Sequence, residues 1–453
     1  MSDLEALFLQ DFFEGLRQRA VSYSVLRGAD QLPQTVGQGD LDILVSPSCE
    51  GRFLDVLRET VRKYRGAFVG CASSPGFSKV HLLVEDGAGE WWGLCVDVFT
   101  CIPFRGKTLF DWSGLSKGLE EKKGISTLNP YYGSLLGLLK ELLWNKKIDQ
   151  RYLDLANSLP LGGWECVGSA FPPALLGGSP KEFLVSITKA TDAEADEFAL
   201  ADELIGRANR LIRSRGWARE LVDLTRYQWS KLKRMFNPSG LCVAFLGVDG
   251  AGKSTVIEGV VPILEKVTHG GVYVRHLRPS LLPSLATLMG RPTATNEVVT
   301  NPHGSTPSGV TGSLVRALYY AADYLFGYWL VVRMLAARRP DVVIFDRYHF
   351  DLILDPRRFR IGFSSRALRP LVRLLPQPDL VICLIADPQV IHQRKPELPL
   401  QEVCQQVERL EELANSFGNA VIVRTDISED QSRNLTFTAI RDFLLKRHSS
   451  ECA

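Results

Sequence analysis

The residues with the clearest capacity for chemistry lie past the midpoint of the 453-residue chain, in "GVDGAGKST" (247–255). Gly247, Gly250 and Gly252 let a loop turn its backbone N–H groups inward, where they can bind phosphate oxygens. Lys253 can reach the outer phosphates of a polyphosphate, and the Ser254 hydroxyl can bind Mg²⁺. The spacing G-x-x-x-x-G-K-[ST] also arises by chance, so its surroundings decide. "LCVAFL" (241–246) before it is an apolar run suited to a buried parallel strand. After it, Val256, Ile257, Val260, Val261 and Leu264 fall on one helical face. Pro262 predicts a kink or an early end in that helix.

A second set of chemical groups lies near the N-terminus. In "DLDILV" (40–45), Asp40 and Asp42 fall on the same side of a strand, because side chains alternate with period two. Two carboxylates on one face are costly unless they share a cation. "KVHLLVED" and "WWGLCVDVFT", joined by a turn at Gly87–Gly89, read as a hairpin whose second strand carries Asp97 between Val96 and Val98.

The elements that must position these groups follow from pattern. "GVYVRH" (271–276), "DVVIFDRY" (341–348), "DLVICLIADP" (379–388) and "AVIVRTD" (420–426) are short apolar runs separated by helical segments. That order argues an α/β fold with a parallel sheet and helices on both faces, with ligands at the strand C-terminal ends. Residues 130–235 read as helical, broken at "PPALLGGSPKEF" (172–183). The expected organisation is an N-terminal α+β domain at 1–115, a helical domain at 116–236 and the loop-bearing domain at 237–453.

Composition sets the remaining limits. Lys plus Arg is 53 against 51 acids, which gives no overall drive toward nucleic acid. The nine cysteines are scattered without zinc spacing and read as the reduced thiols of a cytosolic protein. Acids throughout "MSDLEALFLQDFFEGL" argue against a signal peptide. "ALYYAADYLFGYWLVVRMLAA" (317–337) approaches bilayer length, but Asp323 and Arg333 within it argue a buried core helix and no transmembrane segment.

Four pieces together resemble the thymidylate kinase-like branch of P-loop kinases: "GVDGAGKST", "LYYAAD" (318–323), "FDRY" (345–348) and "DPQVIHQRK" (387–395) before a charged helix. The resemblance covers roughly 240–450. It implies that ATP is bound by Gly247, Asp249, Gly250, Gly252, Lys253, Ser254, Thr255 and Lys395, with Mg²⁺ on Ser254. Asp346 would orient Mg²⁺ through water or accept a proton from a hydroxyl acceptor, and Arg347 would contact the acceptor. Arg394 and Lys395 would act from a lid and neutralise charge on the transferred group; a solvated basic pair is the alternative. The sequence departs from the family in two acceptor contacts. The Arg-Glu-Pro-Gly-Gly type loop is replaced by "RHLRPSLLP" (275–283), and Tyr324 stands where an arginine follows Ala-Ala-Asp. The chain also inserts "NPHGSTPSGVTGS" (301–313) and adds "DPRRFRIG" (355–362). Arg275, Arg278, Arg357, Arg358 and Arg360 are therefore the candidate contacts to a different anionic acceptor, such as a phosphosugar or glycan end. Pairing with the chain's own acids is the alternative for the arginines of the added segment.

Residues 20–115 resemble the nucleotidyltransferase superfamily, in the subgroup with "LRG" (26–28) where others have Gly-Ser. This implies a metal pair on Asp40, Asp42 and Asp97, and an NTP triphosphate on Arg27 and Gly28. Surface strand acids, or a domain that binds nucleotide without turnover, remain the alternatives. The leading expectation is a kinase fused to a nucleotidyltransferase-like domain, with a homodimer also open. A true nucleoside monophosphate kinase with an accessory module, and a non-catalytic ATP-binding switch, stand beside it.

Overall fold

The computed structural model of the chain describes residues 3–37, 39–191, 194–214, 217–283, 308–338 and 341–451. Two units divide it: Met1–Arg65 with Ala72–Val80 and Leu94–Lys233, and Gly66–Cys71 with His81–Gly93 and Arg234–Ala453.

In the N-terminal part, short apolar runs form β1 (Tyr23–Val25), β2 (Leu41–Val45), β3 (Ala67–Ser74), β4 (Phe77–Glu85), β5 (Trp91–Phe99), β6 (Cys101–Phe104), β7 (Lys107–Asp111), β8 (Leu119–Lys122) and β9 (Ile125–Leu128). Seven of them make one sheet in the order β3-β4-β5-β2-β1-β9-β8, and β6 pairs with β7. The strand carrying Asp42 and the strand carrying Asp97 run parallel, with these two residues directly opposite. Helices Asp3–Gln18 and Glu50–Lys63 meet through Phe12 and Phe53, whose rings cross edge-on at 5.6 Å.

Helix Pro130–Asn145 starts where Asn129 caps the Tyr132 N–H and Pro130 occupies the first turn. Its Leu135, Leu139 and Leu142 share one core with Ile102, Phe104 and Phe110 from the strands and with Leu204 and Ile212 from helix Glu194–Arg213. The helices expected as a separate domain at 116–236 thus complete the N-terminal core up to Ile212. The strands leave an apolar face that they cannot cover themselves, and the helices bury it.

The C-terminal sheet comprises β10 (Leu241–Leu246), β11 (Val272–His276), β12 (Val342–Asp346), β13 (Leu380–Ile385) and β14 (Ala420–Arg424). All pairings are parallel, in the order β11-β12-β10-β13-β14. Period-two alternation splits the central strands between two cores. Cys242, Ala244, Leu246, Val343, Phe345, Val381 and Cys383 face one, with helices Ser365–Leu374 and Leu400–Ser416. Leu241, Val243, Phe245, Val342, Ile344, Leu380 and Ile382 face the other, with helices Lys253–Thr268 and Glu429–Glu451. A buried parallel sheet of this kind brings its strand C-termini, and the glycine loop after β10, to one edge.

One expectation narrows and another needs correction. The helix after the loop runs through Pro262 to Thr268 without an early end. Pro262 is exposed, so water can hydrate the carbonyl it leaves unpaired. Residues 317–337 do not form a buried core helix. Ala317, Tyr324 and Val332 are buried, but Leu318, Phe326, Trp329 and Leu330 are 51–61% exposed. One stripe meets the sheet, and the chain there is a helix from Val310 to Gly327, a π-helical turn at Tyr328–Val332 and a last turn to Arg338. Among the described residues no helix is long and apolar enough to cross a membrane.

Buried His349 gives the fold a pH dependence. Its Nε2 lies 3.0 Å from the Pro376 carbonyl and its ring is edge-on to Tyr324. Burial pushes the imidazole from its ordinary 6.5 down to about 3. The unfolded chain takes a proton below that ordinary value and the folded chain does not. This stabilisation is therefore complete above pH 6.5 and is lost as pH falls toward 3, by up to about 1.4 kcal/mol per pH unit. Urea midpoints should fall less steeply below neutral pH in His349→Gln than in the wild type. Parallel curves for the two proteins would count against this account.

Candidate functional site

The loop between β10 and helix Lys253–Thr268 is built around its glycines. Gly250 and Gly252 hold φ of 92° and 81°, a region that residues with a Cβ rarely enter. Space is short as well, since a Cβ on Gly250 would lie 3.0 Å from the Ile391 carbonyl oxygen and from the Lys395 Cβ. Lys253 opens the helix, and its buried Nζ donates to the carbonyls of Gly247 and Val248 at 3.0 Å each. Burial, with the nearby Arg347 charge, pushes this ammonium down to about 8. A cavity of about 1120 Å³ opens over the loop, bounded by Asp249, Gly250, Gly252, Lys253, Ser254 and Thr255 on one side. Asp346, Arg347, Arg358, Arg360, Arg394 and Lys395 bound it elsewhere.

Asp249 is the most heavily bonded group of the loop. One oxygen accepts from Arg347 and the other from Arg358 Nη2 at 2.5 Å, and Lys253 Nζ lies 3.7 Å away. Burial works to raise the Asp249 pKa, but the Arg347 and Lys253 charges outweigh it and hold the carboxyl well below the usual range. Arg347 also donates to Asp351 at 2.7 Å and has a left-handed backbone, φ 71°. Its own N–H bonds the Phe245 carbonyl at 2.9 Å, which fixes that uncommon conformation beside the loop.

Asp346 ends β12. One oxygen, Oδ2, faces His276 Nδ1 at 3.2 Å, and the other, Oδ1, is buried without a hydrogen-bond partner among the described residues. Burial opposes ionisation here, while the His276 hydrogen bond and the Lys253 charge prevail and lower the Asp346 pKa. His276 was not singled out from the sequence. It is the register partner of Asp346 on the neighbouring parallel strand.

The remaining sequence candidates divide. Arg394 ends helix Pro388–Arg394, donates to the Thr425 carbonyl at 2.9 Å and lines the cavity with Lys395. Gly247 lies under the loop, where a Cβ would come within 3.1 Å of the Leu384 carbonyl oxygen. Arg275 and Arg278 are not among the lining side chains, and for Arg278 the reason is visible. Buried Asp323 accepts from its Nη1 at 3.1 Å and also from the Leu282 N–H. The Arg357 side chain and residues 301–307 of the inserted segment lie outside the described residues.

The N-terminal carboxylates also come together. Oxygens of Asp40 and Asp97 and the Cys95 sulfur lie within 4.8 Å of one another. Lys79 Nζ lies among them, 3.1 Å from Asp40, 2.9 Å from Asp97 and 3.3 Å from Cys95. Asp42 is 2.5 Å from Arg27 and 3.7 Å from Lys140. Gly28 holds φ 72° at the turn after β1. Three carboxylates thus face three cations of the same chain. A donor set already neutralised in this way does not fit a pair of divalent ions, which draw their affinity from unbalanced negative charge. Lys79 and Lys140 were not legible as site residues, because each reaches the carboxylates from a different element.

No family model and no curated protein matches this chain. Solved structures do match it. A thymidylate kinase from Ehrlichia chaffeensis is 15% identical, with 45% of this chain and 99% of that chain covered at a TM-score of 0.30. A thymidylate kinase from Candida albicans is 20% identical, with 45% and 92% covered at a TM-score of 0.33. At such scores these likenesses carry no conclusion about activity, and the reading of the site rests on its own geometry.

Proposed function

We propose that the C-terminal unit is an ATP- and Mg²⁺-dependent phosphotransferase for a small anionic acceptor, of which a phosphosugar or glycan end is the fitting class. What carries the reading is the convergence, in one cavity at the C-terminal edge of a parallel sheet, of a glycine loop, a buried lysine and a carboxylate oxygen without a hydrogen-bond partner among the described residues. The donor set fits a hard cation, with the Ser254 hydroxyl exposed to the cavity and the Asp346 Oδ1 lacking a donor. When bound, Mg²⁺ would neutralise charge on the outer phosphates. Lys253 would exchange its two carbonyl partners for phosphate oxygens. Arg394 and Lys395, already against the loop glycines, would offset the charge that builds on the transferred group. Arg360 would take the acceptor's anionic end, while Arg358 pairs with Asp249 and Asp355 of the same chain.

A thymidylate kinase with an accessory module is the less favoured reading. Tyr324 donates to the Leu277 carbonyl at 2.6 Å and Arg278 is bound to Asp323, so neither offers a free phosphate contact. A non-catalytic switch would bind ATP without turnover.

Lys253→Ala should bind MgATP about 10- to 150-fold more weakly, the loss of one charge-assisted bond of about 1.5–3 kcal/mol. Phosphoryl transfer to hexose phosphates should disappear with the urea midpoint kept. Calorimetric titration with MgATP checks the first point, and unchanged affinity would remove the kinase reading.

For the N-terminal unit we propose a nucleotidyltransferase-like fold in which Lys79 holds the place of a metal. Lys79→Met would remove the ammonium that bridges Asp40 and Asp97 and cost about 3–5 kcal/mol. Mn²⁺ should then raise the melting temperature of the variant and leave the wild type unmoved. Equal Mn²⁺ stabilisation of both proteins would show that the lysine does not exclude the ion.

A further inference from the structure

We propose that helix Trp217–Phe236 binds an anionic lipid surface, lying along it with its apolar side chains inserted. The inference goes beyond the phosphotransferase reading and does not depend on it. A surface helix of a globular protein buries its apolar stripe and leaves its polar side to water. This helix is turned the other way. Its half-buried residues are Asp223, Tyr227, Ser230 and Arg234, whose spacing makes one polar stripe. The Tyr227 ring packs on the Gly106 backbone, where a Cβ would lie 2.6 Å from it. Lys231 Nζ lies 4.3 Å from the centre of the same ring. At the helix end, Arg333 donates to the carbonyls of Phe236 and, at 3.1 Å, of Met235. These attachments use the polar side and the backbone. On the opposite side Leu221, Val222, Trp229, Leu232, Met235 and Phe236 are 44–69% exposed. A contiguous apolar face of this kind marks an interaction surface.

Charge decides what covers it. Between Leu221 and Phe236 four bases, Arg226, Lys231, Lys233 and Arg234, stand against one acid, Asp223, a net +3 where the whole chain carries +2. In a two-fold dimer the same patch faces itself. Two copies joined here would bring basic flanks together with one acid each to offset them. An anionic headgroup layer is complementary to every one of the bases. A basic amphipathic helix with tryptophan and phenylalanine on its apolar side has the chemistry of a membrane-surface helix. Its indole and phenyl rings suit the boundary between headgroups and acyl chains. Among the described residues no helix is long and apolar enough to cross a bilayer, so the contact is one of lying on the surface. The 20 residues give it a length of roughly 30 Å.

The test uses the full chain and two kinds of vesicle, phosphatidylcholine alone and an equal mixture of phosphatidylcholine with phosphatidylglycerol. Cosedimentation measures binding, with no other protein present. The wild type should sediment with the mixed vesicles, more weakly as salt is raised, and far less with the neutral ones. Trp229→Ser/Phe236→Ser should weaken binding about 100-fold or more with the urea midpoint kept, because both side chains already face water. Arg226→Gln/Lys233→Gln should weaken binding to the mixed vesicles about 30-fold and leave the weak neutral binding unmoved. The inference is overturned by a wild type that stays in the supernatant, by equal binding to the two kinds of vesicle, or by wild-type binding in either double variant. A urea midpoint that falls in Trp229→Ser/Phe236→Ser would mean that the chain itself covers the face, and overturns it too. A wild type that is dimeric without lipid, and monomeric as Trp229→Ser/Phe236→Ser, would give the face to a second copy and overturn it equally.

Discussion

The Asp249 carboxylate is the joint on which the C-terminal site depends. It ties the glycine loop to Arg347 at the end of β12 and to Arg358 in the segment that follows. Two guanidinium groups and the Lys253 ammonium would repel one another in so small a space without it. With it, each is held within reach of the cavity before any substrate arrives. Preorganised charge of this kind lowers a barrier without having to reorient during the reaction. Removing one partner of such a buried network leaves the others uncompensated, so its members are not separable in their effects.

Much of the C-terminal fold was legible because its strands are buried on both faces. Continuous runs such as "LCVAFL" and "DLVICLIADP" admit few other structures when helical segments separate them. The loop was legible because glycine, lysine and serine each have a separate physical reason at their position. The limits are equally specific. His276 and Asp346 are 70 residues apart, and only the register of two parallel strands makes them neighbours. Arg278 carries the charge expected of an acceptor contact, yet a buried aspartate 45 residues away captures it. Helix 310–327 is apolar around much of its circumference, and composition does not say which stripe meets the sheet.

The N-terminal unit teaches the same lesson in electrostatic form. Alternation along β2 and pairing with β5 accounts for the grouping of Asp42 and Asp97. It does not reveal the cations. Lys79 approaches from β4 and Lys140 from helix Pro130–Asn145, and neither lies in a recognisable pattern with the carboxylates. A constellation of acids is therefore only half of a site. The other half is whatever the fold brings opposite them, and here that is an ammonium group at hydrogen-bonding distance.

The buried lysine of the glycine loop has a thermodynamic consequence of its own. With its ammonium pushed down to about 8, part of the lysine population is uncharged in mildly alkaline solution while the loop is empty. Phosphate oxygens favour the charged form, so on the proposed phosphotransferase reading nucleotide binding would draw a proton from the buffer. The heat of binding then includes the ionisation heat of whichever buffer donates that proton. Apparent affinity also falls as the solution becomes more alkaline, because part of the binding energy must first protonate Lys253.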